Sequence, residues 1–279
     1  MKKKLVLPLI VLIAAAIVVL SYLNLTQQKE GTLANFASPF ESESSEETAD
    51  GEKHDTDSML STPVESKPVQ TESSAAFSIN IPVPPLANSD KSILKILKQF
   101  LDERSLALRF FRDNMVNRFV ASIDNMTRSH LAQKTMFMKP PLGQFLPLQD
   151  GKEGLIISPR NARRYETMLR FAEEVPLDKL VTVYVHFYPL FQQAYENLGY
   201  PDRSFNTRFI QVIDHLLDAP EINQPLKLAC PQVLCIYADP ELEALSAGQR
   251  LMLRTGYDNV LREKELLRRL KKEIKKRMH

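Results

Sequence analysis

Five histidines and two cysteines bound the chemistry available to this chain. His54 falls in a polar segment and His279 is the last residue, which leaves His130, His186 and His215 as candidates for a folded site. His186 has the more suggestive surroundings. Over 176–198, an apolar stretch, Thr182, His186, Gln193 and Glu196 or Asn197 recur at three-to-four spacing, which is one stripe of a helix. Pro189 falls on that stripe and has no N–H for the Val185 carbonyl. A carbonyl freed in this way needs a partner from protein, water or ligand. Two readings follow: a kink with a satisfied polar seam, or a binding groove at His186, Tyr188, Gln192, Gln193 and Tyr195, with Tyr184 as a further wall.

Asp214-His215 is the second candidate. Neighbours on a helix point about 100° apart, so the two do not make a dyad by themselves. No HExxH, GxSxG, GxGxxG or GxxxxGK[ST] sequence occurs, so no cofactor, metal site or catalytic residue is expected. Cys230 and Cys235 would lie about 16 Å apart in an extended chain, beyond disulfide reach. Unless Pro231 turns the chain sharply, they are expected as buried, unpaired thiols.

The elements that must position these residues occupy the last two-thirds of the chain. Residues 89–279 suffice for one well-cored domain. Ser89 or Asp90 is expected to cap a helix with the stripe Ile93, Leu97, Phe100 and Leu101, and a second helix is expected near 105–125. Gln144–Ser158 reads as a hairpin turning at Asp150-Gly151. Helices are expected from Ser158-Pro159, from Pro176 through to Leu198, and from Asp202 with Phe205, Phe209, Val212, Ile213 and Leu216 inward. Leu226–Tyr237 reads as a short edge pairing, and Ser246-Ala-Gly-Gln249 as a capping box. A last helix over about 258–277 carries Val260, Leu267, Leu270 and Ile274 among many lysines and arginines. The expected class is mainly α with one or two short β-hairpins.

The first 88 residues differ in kind from this domain. Leu5–Leu23 is a 19-residue run without charge, about 28 Å of helix, preceded by Lys2, Lys3 and Lys4. Its length and the lack of a usable small-residue cleavage site favour an uncleaved single-pass anchor over a signal peptide. The lysines place residues 1–4 on the cytoplasmic side and the rest across the membrane. Residues 26–88 hold 11 acidic side chains against three lysines, with six prolines, and read as a disordered stalk reaching about 45 Å. Phe77-Ser-Ile-Asn-Ile81 is more apolar and is expected to lie along the domain as a strap.

Several long motifs resemble one bacterial family, domain of unknown function 3014. They are Tyr188-Pro-Leu-Phe-Gln-Gln-Ala-Tyr195, Leu198-Gly-Tyr-Pro201, Phe205-Asn206 with Arg208, Val212–Leu217 and Ala238–Gln249. Phe119–Asn125 and Lys139-Pro-Pro141 agree, so the resemblance spans roughly 90–256. It implies an envelope protein with an N-terminal membrane segment and supplies no activity, cofactor or catalytic residue. The combined expectation is an inner-membrane protein displaying a periplasmic interaction or scaffold domain, whose partner is a protein or envelope component. The alternatives are a tethered envelope hydrolase using His186 or Asp214/His215, and a self-associating structural module. The 18 C-terminal residues hold nine Lys/Arg against three Glu and suggest contact with an anionic surface; nucleic acid is not expected there.

Overall fold

The computed structural model of the protein describes residues 77–141, 143–151, 154–231 and 235–278. The anchor expected at 1–25, and the stalk as far as residue 76, lie outside the described residues. Among the described residues no helix is long and apolar enough to cross a membrane.

The entering strap packs as its composition predicts. Phe77, Ile79, Ile81 and Leu86 lie against the main core, and the Phe77 ring meets Phe100 edge-on at 5.5 Å. Helix α1 (Ser89–Leu97) buries Ile93, Ile96 and Leu97. Asp90, expected to cap this helix, does other work. Its carboxylate accepts from the amides of Asn114 and Met115 at 2.7 and 2.8 Å, at the start of a later helix. The helix expected near 105–125 is in fact two, α2 (Glu103–Arg109) and α3 (Met115–Asn125). Between them Phe110 bridges Met138 antiparallel, the Phe111 amide donates to Phe137, and the Lys139 amide donates to Arg109. Asn114 takes the left-handed conformation (φ 51°) that redirects the chain into α3.

Strands β1 (Pro147–Gln149) and β2 (Leu155–Ile157) form the expected hairpin. They continue into β3 (Lys227–Ala229) and β4 (Ile236–Tyr237), giving one four-stranded antiparallel sheet in chain order. The 226–237 stretch is thus a second hairpin joined to the first, with β3 inside the sheet rather than at its edge. Leu228 and Tyr237, paired in register, join Phe145, Cys235 and Leu253 in a small second core.

The same register corrects the cysteine expectation. Ala229 faces Ile236, so the next pair outward is Cys230 and Cys235, whose Cα atoms are 4.1 Å apart and whose sulfurs are bonded. Chain reversal, not extension, sets their distance.

Helix α4 (Arg160–Glu174) buries Tyr165, Met168, Leu169 and Ala172, as its pattern predicts. Helices α5 (Leu177–His186) and α6 (Tyr188–Asn197) replace the single helix expected over 176–198. Next comes α7 (Phe205–Leu217), whose N-cap is Ser204, accepting from the Thr207 amide at 3.3 Å, rather than Asp202. After the short α8 (Pro240–Ala244), the capping box of Ser246 and Gln249 opens α9 (Ala247–Thr255). A side chain at Gly248 would meet Leu216 and the Met126 carbonyl at 2.7 Å, and its amide donates to that carbonyl, so close approach of α9 to the end of α3 requires glycine.

Helix α10 (Tyr257–Arg277) is not an appended tail. It buries Val260, Leu267, Leu270 and Ile274 and packs on α4, α5, α7 and α9. At about 1.5–3 kcal/mol per buried side chain, that stripe is a main element of the core. Six of its nine cations are ion-paired: Arg262, Lys264, Arg268, Lys271, Lys276 and Arg277. Glu263 on the same helix is buried, and neither carboxyl oxygen has a hydrogen-bond partner among the described residues. The Thr255 hydroxyl is donated to the Met252 carbonyl. Burial pushes the Glu263 pKa well above the usual carboxyl range.

Candidate functional site

The expected groove on 176–198 depends on one continuous kinked helix, and the chain does not make one. Phe187 (φ −92°, ψ 10°) separates α5 from α6, and Pro189 lies in the first turn of α6, where a missing N–H costs nothing. The Phe187 amide still reaches the Val183 carbonyl at 3.0 Å, closing α5. His186 stands edge-on to the Phe187 ring at 4.7 Å, with its Nε2 buried and without a hydrogen-bond partner among the described residues. Gln193 is exposed.

Tyr188 and Gln192 do meet, but as a clasp on the entry to α7. Gln192 Oε1 accepts from the Tyr188 hydroxyl at 3.1 Å and from the Phe205 amide at 2.8 Å. Gln192 Nε2 donates to the Arg203 carbonyl and to Glu196, each at 2.9 Å. The bond from the Phe205 amide satisfies one of the donors that an α-helix leaves open at its N-terminus. Both side chains are therefore occupied in holding 203–206.

Asp214 and His215 also part company. Asp214 pairs with Lys271 on α10, whereas His215 Nε2 lies 2.8 Å from the Ser246 hydroxyl oxygen. Burial pushes the His215 pKa down, with Asp218 opposing, so the imidazole favours its neutral form. A His–Ser pair can activate a serine as nucleophile, but Ser246 is already committed: its oxygen accepts from the Gln249 amide at 3.2 Å as the cap of α9. Among the described residues no group of three His, Cys, Asp or Glu is placed to hold a metal ion.

Tyr195, the remaining candidate, leads to the cleft with most chemistry. It is buried and stacks on Tyr200, ring centres 4.7 Å apart. Together they border a cavity of about 500 Å³ shared with Asp124, Arg128, Arg203 and Arg208. Asp124, at 3% exposure near the end of α3, anchors it. One oxygen accepts Arg208 Nε at 2.9 Å, and the other accepts Arg128 Nη2 at 2.7 Å. Arg208 Nη2 also donates to the Asp124 carbonyl at 2.9 Å and to the Thr127 hydroxyl at 2.7 Å. Arg128 donates further to the Tyr200 hydroxyl at 3.2 Å. Burial, and then the negative charge of Asp124, raise the Tyr195 pKa, so this wall stays a neutral phenol.

Arg203 differs from its two neighbours. Its guanidinium lies 5.8 Å from the Tyr200 ring centre and makes no ion pair among the described residues. Three guanidiniums thus share a cleft with one carboxylate, and that carboxylate is already doubly bonded. The surplus is suited to a carboxylate or phosphate, which a guanidinium binds through paired donors. Reading the sequence missed Asp124, Arg128, Tyr200 and Arg203. Asp124, Tyr200 and Arg208 fall inside motifs that carry the family resemblance, but nothing local shows that α3 and α7 join them.

A family model described as "Protein of unknown function (DUF3014)" matches residues 115–271, which include the whole of this cleft. No curated protein and no solved structure matches the chain.

Proposed function

The chain belongs to the DUF3014 family, and from that premise we propose that it is a membrane-tethered, periplasmic binding module that receives an anionic group of an envelope partner in the Asp124–Arg208 cleft. The observation that carries this reading is Arg203, a cation open to a cleft whose one carboxylate is already engaged by Arg128 and Arg208. A concave site with aromatic walls and a few convergent polar groups is the usual form of a ligand pocket. Binding is favoured over catalysis because the rim hydroxyl of Ser204 is spent as the cap of α7 and the described residues that line the cleft include no histidine or cysteine beside Thr207. The rival reading, a tethered hydrolase using His186 or Asp214/His215, is less favoured. His186 Nε2 has no hydrogen-bond partner among the described residues, the Ser246 beside His215 is a cap, and Asp214 faces Lys271 instead of the imidazole.

The tether is supported by sequence: the uncharged run Leu5–Leu23, three lysines immediately before it against Lys29 alone close after it, and an acidic segment long enough to act as a spacer. A reporter active only outside the cytoplasm, fused after His279, tests the orientation; a silent reporter rejects it. For the cleft, a photoreactive residue replaces the exposed Thr207 in the full chain, expressed in intact cells. Arg203→Glu is expected to remove the crosslinked species at least tenfold, while Gln193→Ala leaves them unchanged. Retention in Arg203→Glu rejects the cleft as the binding site.

A further inference from the structure

A second cluster of cations lies away from the cleft and is built on a different principle. The two-residue ladder between 109–111 and 137–139 sets Arg109 beside Lys139, because the Lys139 amide donates to the Arg109 carbonyl at 2.8 Å. Helix α4 supplies Arg163 and Arg164 to the opposite wall of the same groove, a cavity of about 320 Å³ floored by Pro140, Pro141 and Met168. No Asp or Glu is among the described residues that line it.

Lys139 and Arg109 are held by neutral groups. Lys139 Nζ donates to the Ala107 carbonyl at 2.7 Å, at the C-terminal end of α2. Arg109 stacks on the Phe171 ring at 4.4 Å and reaches the Thr167 carbonyl at 3.5 Å. Arg164 donates to the Gly143 carbonyl at 2.9 Å, and Arg163 is exposed. Burial pushes the Arg109 and Arg164 pKa values down. Asp102 and Glu174 act on Arg109 from outside the groove and only partly oppose this. Carbonyls fix where such groups sit and leave their charge in place. Four like charges converging on one groove repel one another, and an anion there relieves that cost.

Beside the cations stands Leu108, 57% exposed and the most exposed large apolar side chain among the described residues. Cations ringing a protruding leucine match a bilayer surface, with headgroup charge above and acyl chain beneath. We propose that the Arg109–Lys139–Arg163–Arg164 groove docks on anionic lipid headgroups, with Leu108 entering the interface. The choice of a bilayer as the source of the anion rests on the tether reading above. This moves the expected anionic-surface contact away from α10, where six of nine cations are already ion-paired.

The test uses the full chain reconstituted in vesicles, with Thr167→Cys at the rim carrying an environment-sensitive fluorophore. On passing from pure phosphatidylcholine to about one-third phosphatidylglycerol, the emission is expected to shift to the blue and become quenchable by brominated acyl chains. Arg163→Glu and, separately, Leu108→Ser alter exposed side chains and should each reduce that response at least threefold. A response independent of lipid charge, or unchanged in both variants, overturns the proposal. So does an equal response to inorganic phosphate without vesicles, which would assign the groove to a soluble anion. Carbonate washing of the same vesicles reads the anchor separately. A chain that washes out yet responds to anionic lipid refutes the tether and keeps the groove; one that resists washing but does not respond refutes the groove alone.

Discussion

The cleft at Asp124 and the groove at Arg109 both gather arginines, and they hold them by opposite means. In the cleft, Arg128 and Arg208 converge on one nearly inaccessible carboxylate that belongs to α3, so the ion network also ties α3 to α7. In the groove, Arg109 and Lys139 are positioned by backbone carbonyls. A carboxylate cancels the charge it orients, and a carbonyl does not. Arginines of the first kind are architecture with one spare neighbour, Arg203; those of the second kind keep their charge for a partner.

The two regions share one support, and removing it should have the largest effect. Phe119 lies within 5.3–6.1 Å of Phe137, Phe191, Phe205 and Phe209, linking the ladder under the groove to the helix that carries Arg208. Phe119→Ala should cost about 3–5 kcal/mol in denaturant unfolding, through lost burial and an unfilled cavity. A loss below about 1 kcal/mol would mean that the regions are held independently.

Removing the carboxylate tests the comparison itself. Asp124→Ala leaves Arg208 uncompensated where it is mostly buried, which for a fully buried pair costs about 3–5 kcal/mol. Because Arg128 is half-exposed and can rehydrate, about 2–4 kcal/mol is expected, against under about 1 kcal/mol for Arg109→Gln. Equal losses would erase the distinction between the two sites. Glu263 sharpens it from the other side, as a buried carboxyl with no hydrogen-bond partner among the described residues. Its raised pKa means the folded state binds the proton more tightly than the unfolded chain does. The stability this confers is full below the ordinary carboxyl range and is lost as pH rises from there through the folded pKa. Glu263→Gln should flatten that decline and add about 1–3 kcal/mol at pH 8. A variant as pH-dependent as the wild type would place the titration elsewhere.

These features differ in how far the sequence exposes them. The stripes of α4 and α7, the turn at Asp150-Gly151 and the Ser246–Gln249 box are local patterns, and each folds as it reads, whereas α1 stops at Leu97, short of Phe100 and Leu101 on its expected stripe. The break at Phe187 is open to two readings, since a proline in an apolar run marks either a kink or the first turn of a new helix. Asp90 looks like the cap of its own helix yet caps α3, because that N-terminus folds back within reach of its carboxylate. The bonded cysteines and the cleft are beyond local reading for one reason. Each depends on a pairing made by tertiary folding, the β3–β4 register in one case and Asp124 with Arg208, 84 residues apart, in the other.

The smallest expected change in stability is the most informative about function. Arg203 is exposed and its guanidinium has no ion pair among the described residues, so Arg203→Ala should shift unfolding by no more than about 0.5 kcal/mol. The same substitution takes the spare positive charge out of the cleft and leaves Asp124, Arg128 and Arg208 as they are. If the cleft is a binding site, partner capture in intact cells should fall while the melting curve stays put. If Arg203 instead supports the fold through its ring contact with Tyr200, stability should fall and capture follow it. The two losses are read by separate measurements on one full-length variant, so a drop in capture at unchanged stability belongs to the cleft, and any other pattern removes Arg203 from the binding surface.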